Sequence, residues 1–112
     1  MTVYNPDPVY FGDTWPGIPS ISILVNGSVP SVAVVSTSLT FSRAGSLPGS
    51  TPATGTTLAS PSGVTITSTS GWTFAVPPGI LPLAQGDWIL HFKTTDSAGA
   101  VHTWLTGTLT IL

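Results

Sequence analysis

The chain has 112 residues, with 18 Thr, 14 Ser and no Cys, and only two basic and four acidic side chains are charged at neutral pH. This length corresponds to one domain, and two basic residues are too few to neutralise a row of phosphates or to hold an acidic membrane surface. We therefore expect neither nucleic acid nor a membrane as a partner, and the absence of cysteine excludes disulfides and thiolate metal sites.

Residues 1–17 predict an extended N-terminal arm, because three prolines disfavour both a helix and a central strand. The arm carries four aromatic residues: Tyr4, Tyr10, Phe11 and Trp15. Two interpretations stay open. Either the arm docks on another protein, or it folds back and closes one end of its own domain.

The first regular strand is predicted at 18–25, where apolar and polar residues alternate, and Asn26-Gly27 directly after it is a strong turn signal. A short apolar piece at 31–35 and a clearer strand at 37–43 follow. Residues 44–63 are rich in Ser, Thr, Pro and Gly and poor in large apolar groups, so they predict a long exposed loop.

The second half of the chain predicts two short strands, 64–67 and 72–76, and then a long hairpin over 86–112. In the hairpin Trp88, Leu90 and Phe92 alternate with their neighbours, and residues 96–99 have the composition of a turn. About seven short strands without a helix predict an all-β, immunoglobulin-like antiparallel sandwich, formed as a single domain by residues 18–112.

Few side chains are available for chemistry. His91 and His102 lie on the two strands of the terminal hairpin and, with Asp96, form the only candidate metal set; the alternative is that both histidines face solvent or an interface. Asp13 and Asp87 lie beside glycines, as structural aspartates in turns do. We predict a chain that is not an enzyme and has no metal or cofactor.

Four tryptophans in so short a chain indicate a binding surface. Trp72 and Trp88 share their alternation with apolar residues and are predicted in the core, whereas Trp15 and Trp104 are predicted to be exposed. An exposed Trp serves as an anchor at a protein interface or as a stacking platform for a sugar ring. We favour the interface, and a sugar stays the alternative.

The scarcity of charge also has two explanations. Neutral β-rich surfaces tend to associate, so partners in an assembly would cover much of this one. Alternatively, the many Ser, Thr, Pro and Gly residues hydrate the surface sufficiently without charges. We favour the assembly.

Several short motifs, in their order along the chain, give a resemblance to a known family. They are Gly12-Asp13-Thr14-x-Pro16, Asn26-Gly27, Leu39-Thr40-Phe41-Ser42-Arg43, Gly86-Asp87-Trp88, Phe92-Lys93-Thr94-Thr95-Asp96-Ser97-Ala98-Gly99, Thr103 and Gly107-Thr108-Leu109-Thr110-Ile111. Over residues 11–112 the chain resembles the immunoglobulin-like domain at the N-terminus of baseplate upper proteins of tailed bacteriophages, and related short phage structural proteins.

The resemblance implies a non-enzymatic virion component that docks on a larger protein assembly, in multiple symmetric copies. Because baseplate upper proteins continue beyond this domain and the chain stops at Leu112, a tail or baseplate accessory and a capsid decoration protein both stay open. The partners would be other virion proteins. The predicted partner-binding residues are Tyr4, Tyr10, Phe11, Trp15 and Trp104, and the alternative function is a carbohydrate-binding module for host surface glycans.

Overall fold

The structure is a computed structural model that describes residues 2–43, 56–60 and 62–112. Those residues form eight β-strands and no helix. The strands are β1 (Thr2–Val3), β2 (Ile18–Ser22), β3 (Val34–Arg43), β4 (Thr56–Ala59), β5 (Thr65–Ser68), β6 (Thr73–Val76), β7 (Gly86–Asp96) and β8 (Val101–Ile111). The all-β prediction is confirmed for the described part of the chain.

Five strands form the larger sheet, in the order β1-β8-β7-β3-β4. The predicted terminal hairpin is its centre: β7 and β8 pair antiparallel from Gly86 opposite Ile111 to Thr95 opposite Val101. Strand β3 pairs antiparallel with the other side of β7. The short strand β1 differs from the rest, because it runs parallel to β8.

The smaller sheet has three antiparallel strands in the order β2-β6-β5. Its inner face meets the larger sheet, and Phe74 of β6 packs against Phe92 of β7 with ring centroids 5.3 Å apart. Both rings are almost completely buried. The two sheets therefore pack as a β-sandwich around one core.

The core follows from the alternation of the sequence. Along β7 every second side chain from Trp88 to Asp96 is buried, as expected for a strand with one inward face. Trp72 and Trp88 are buried as predicted, and the largest fully buried side chains are Trp15, Trp72, Trp88, Phe41, Phe74 and Phe92. Burial of these rings is the main favourable contribution to folding.

The predicted loop at 44–63 is corrected at one point, because residues 56–59 form the edge strand β4. Its backbone pairs with β3 from Ser38 opposite Ala59 to Phe41 opposite Thr56, and Leu58 packs against the core. Threonine suits a half-exposed edge strand, and the pairing with β3 together with the Leu58 contact holds it there. Residues 60, 62 and 63 lie outside the strand, and the rest of the predicted loop, 44–55 and 61, lies outside the described residues.

Candidate functional site

The two ends of strand β8 present different surfaces. The strand has eleven residues, so its ends are separated by about 35 Å. One end, with the β7–β8 turn and Val101, is called the hairpin end below. The other, where Leu112 is bonded to Val9 and Phe11 of the arm, is called the terminal end.

The N-terminal arm lies along the outer edge of β8. The backbone N–H of Tyr4 donates to the carbonyl of Thr106 at 2.8 Å, and the N–H of Val9 donates to the carbonyl of Thr110 at 3.0 Å. Between them the side-chain oxygen Oδ1 of Asn5 accepts from the N–H of Thr108 at 3.0 Å. The arm thus folds back on its own domain and covers an edge that would otherwise be open to another strand.

Reciprocal hydrogen bonds hold the arm at the terminal end. The N–H of Leu112 donates to the carbonyl of Val9 at 2.8 Å, and the N–H of Phe11 donates to the carbonyl of Leu112 at 3.0 Å. Val9 is half-buried against the core. Backbone bonds therefore determine the course of this part of the arm.

Gly107 of β8 lets the backbone of the arm pack closely against the strand. A Cβ atom added at this position would clash with the carbonyl oxygen of Tyr4, and it would lie 3.1 Å from Oδ1 of Asn5. Only glycine allows the arm this close to the sheet, as is typical where two backbones approach each other.

The arm presents its large side chains to solvent. The exposed fraction is 65% for Val3, 66% for Tyr10 and 63% for Phe11, and it is 36% for Tyr4. The backbone of the arm is thus held while its apolar side chains stay free. Exposed large apolar side chains held on a fixed backbone are candidates for an interaction surface.

The predicted exposure of Trp15 is wrong. Its side chain is only 2% exposed and packs edge-on against Phe41, with ring centroids 5.8 Å apart. Its backbone exchanges two hydrogen bonds with Gly79, at 2.8 and 3.0 Å. Trp15 anchors the base of the arm in the core, so it is not part of an exposed docking surface.

Trp104 is also less exposed than predicted, because a β-bulge shifts the register of β8. Phe92 lies opposite Leu105 but Lys93 lies opposite Thr103, so Trp104 is the extra residue. The bulge reverses the alternation, and Trp104 turns towards the core side and packs edge-on against Trp72 at 6.0 Å. It is half-buried, away from the threonine face on which its parity placed it.

At the hairpin end this rearrangement leaves an open cleft of about 430 Å³. Its walls come from the β2–β3 connection, from Trp72 just before β6, and from the β7–β8 hairpin. The lining residues are Val25, Pro30, Ser31, Val32, Trp72, Asp96, His102 and Trp104. A small ligand site in a protein typically has this size and this mixture of aromatic and isolated polar groups.

The rings of the cleft are held by specific contacts. The indole Nε1 of Trp104 donates to Oγ1 of Thr94 at 2.8 Å, and that of Trp72 donates to the carbonyl of Val32 at 2.7 Å. The imidazole of His102 lies 5.4 Å from the Trp104 ring at an angle of 45°. The bond from Trp72 to the carbonyl of Val32 also ties the β2–β3 connection to the wall of the cleft.

A tight turn shapes the outer wall. Asn26 and Gly27 both have positive φ, 51° and 79°, and Val25 and Ser28 exchange backbone hydrogen bonds at 2.8 and 3.1 Å. This is the two-residue turn that Asn-Gly predicts, and it directs the following residues back over the cleft. The turn was predicted, but Val25 and Trp104 line the same cleft although almost 80 positions separate them, and this has no signal in the local sequence.

Asp96 is the acidic group of the cleft. It is 7% exposed, and its Oδ1 accepts from the N–H groups of Ala98 at 2.9 Å and Ala100 at 3.0 Å. These bonds confirm the predicted turn. Within the described ranges no hydrogen bond reaches its second oxygen, Oδ2.

The candidate metal set is not assembled. His91 lies opposite Thr106 and His102 lies opposite Thr94, so the two histidines do not face each other across the ladder. Among residues 2–43, 56–60 and 62–112, no three His, Cys, Asp or Glu side chains lie close enough to hold a metal ion.

Comparisons with known proteins identify no relative: no family profile matches the sequence, and neither a curated protein nor a solved structure does. Within the described residues no helix has the length and apolar character needed to cross a membrane.

Proposed function

We propose that this chain is a non-enzymatic structural module of a tailed-bacteriophage virion that docks on a larger virion assembly through its N-terminal arm. The phage assignment rests on the motif resemblance over residues 11–112, and the observation that carries the docking part of the proposal is the arm. Its backbone is held along β8, while Val3, Tyr4, Tyr10 and Phe11 are exposed. Because the backbone of the arm is already fixed, a partner that covers the arm costs side-chain freedom but little backbone entropy.

The immunoglobulin-like assignment belongs to the same proposal and is supported by the strand order. In immunoglobulin variable domains one sheet contains strands G, F, C and C′, and the other contains B, E and D. The order β8-β7-β3-β4 matches G-F-C-C′, and the order β2-β6-β5 matches B-E-D. In this assignment β1 is an additional strand that runs parallel to strand G.

The low charge of the chain supports assembly into many copies. Six ionised side chains leave a surface dominated by hydroxyl and apolar groups, and such a surface has little electrostatic repulsion to oppose close packing with neighbours. Symmetric repetition on a particle would use the same apolar strip in every copy.

Virion incorporation tests the proposal directly. The double variant Tyr10→Ala and Phe11→Ala removes exposed rings and leaves the backbone bonds of the arm intact, so it should fold normally and be lost from purified particles. The matched control is Ile80→Ala, which removes an equally exposed apolar side chain outside the arm. Deletion of residues 1–11 should abolish incorporation as well.

Two results would overturn this proposal. One is the absence of the native protein from virions purified from the phage that encodes it. The other is incorporation of the double variant to the level of Ile80→Ala, because the arm would then play no part in docking.

A further inference from the structure

We propose that the cleft at the hairpin end binds a neutral sugar ring, stacked on the Trp104 and His102 rings and hydrogen-bonded to Asp96. This inference goes beyond the proposed virion function and does not depend on it. It rests on an aromatic wall, on the mostly buried Asp96 whose solvent-accessible Oδ2 makes no hydrogen bond to the described residues, and on the size of the cleft.

The aromatic wall provides the stacking surface. Trp104 is held by its bond to Thr94 and by its edge contact with Trp72, so its ring needs no reordering when a ligand arrives. His102 is exposed and adds a second ring at 45° to the first. The C–H face of a pyranose is apolar and covers such a platform, while the sugar hydroxyl groups point outwards to polar partners.

Asp96 provides the directional contact. More than nine-tenths of the residue is buried, yet it lines the cleft, and only Oδ1 is engaged by the turn. A carboxylate can accept about four hydrogen bonds. Its Oδ2 can therefore accept from a sugar hydroxyl, and the hydroxyl of Ser31, also in the lining, can donate or accept at the rim.

The lining disfavours charged ligands. It contains no Lys or Arg, so nothing there neutralises a phosphate or sulfate. The charge of Asp96 is already offset by two backbone N–H groups, which reduces its attraction for an organic cation. In addition, about 430 Å³ is more space than a trimethylammonium group fills and suits one or two sugar rings.

Binding can be measured on the purified native chain without virions, so its outcome is separate from that of the docking proposal. The probes are the methyl glycosides of glucose, galactose, mannose and N-acetylglucosamine at millimolar concentration, followed by saturation-transfer NMR, with choline chloride as the cationic probe. We expect saturable binding of at least one glycoside and none of choline.

Two variants place the binding in the cleft without removing a core contact, because both residues are exposed. Ser31→Phe fills the cleft and His102→Ala removes one ring, and each should weaken glycoside binding by about tenfold or more. The control Ser20→Phe makes the same replacement at an exposed position of β2 and should leave glycoside binding unchanged. Thermal unfolding checks that all three variants fold.

The proposal fails if no glycoside binds the native chain, or if Ser31→Phe binds as tightly as Ser20→Phe. Binding of choline in place of the glycosides would also overturn it and would identify an organic-cation site.

Discussion

The terminal end and the hairpin end belong to the same strand pair, but they hold their aromatic groups in opposite ways. At the terminal end, backbone hydrogen bonds fix the arm and the rings of Tyr10 and Phe11 stay free. At the hairpin end, the rings of Trp72 and Trp104 are themselves fixed, and the space between them and the β2–β3 connection stays open.

This difference separates two kinds of recognition. Free rings on a fixed backbone form a raised apolar strip, which fits the flat surface of a large protein. Fixed rings around a cleft form a concave site, which fits a small ligand. One small sandwich can thus present the free rings of Tyr10 and Phe11 and a ligand site at opposite ends of β8, about 35 Å apart.

Among the substitutions that compare the two ends, we expect the largest difference in stability between alanine variants of two aspartates of β7. Asp96→Ala should lower the free energy of unfolding by about 2–4 kcal/mol, because it removes the acceptor of two N–H groups in the turn. Asp87→Ala, at the other end, removes only an exposed bond from Oγ1 of Thr110 and should cost less than about 1 kcal/mol.

Urea unfolding of both variants measures these values. Equal losses for Asp96→Ala and Asp87→Ala would contradict the account of the hairpin end, because the buried turn would then contribute no more than an exposed side-chain pair.

A smaller effect is expected where the arm crosses Gly107. Gly107→Ala places a methyl group at the position of the Tyr4 carbonyl, so the arm should detach, with a loss of about 1–3 kcal/mol. Hydrogen exchange should then show lost protection at the N–H groups of Tyr4, Val9 and Phe11.

The control for this variant is Gly79→Ala, since a Cβ at that position meets no atom within 4 Å. If the arm amides exchange equally slowly in Gly107→Ala and Gly79→Ala, the close approach of the arm to β8 is not the contact that holds it.

The smallest effect on stability is expected for the exposed rings of the arm. Tyr10→Ala and Phe11→Ala should each change the free energy of unfolding by less than about 0.5 kcal/mol, because neither ring is packed in the core. A loss above about 1.5 kcal/mol in thermal unfolding would mean that these rings stabilise the domain. A loss of the double variant from particles would then reflect reduced stability as well as reduced docking.

The sequence predicts elements that depend on local patterns and misses those that depend on distant contacts. The alternation of Trp88, Leu90 and Phe92 correctly predicts β7, and Asn26-Gly27 correctly predicts its turn. Trp15 looks exposed among prolines, yet it is buried because Gly79 and Phe41 meet it from distant parts of the chain.

The candidate cleft also depends on contacts between distant parts of the chain, so the sequence does not predict it. Trp104 carries the parity of a solvent face, and only the bulge opposite Phe92 and Lys93 moves it to the core side. A bulge depends on how two strands pair, so the sequence of one strand alone does not reveal it. The exposure of Tyr10 and Phe11 agrees with the predicted arm, although its parallel pairing with β8 has no local signal.

Photo-crosslinking in assembled particles tests the division between the two ends most directly. Benzoylphenylalanine is introduced at the position of Phe11 in one protein and at that of His102 in another, and purified virions are irradiated. The account predicts crosslinks from position 11 to another virion protein and none from position 102. Crosslinks from position 102 alone would contradict it, because the particle would then hold the molecule by its cleft.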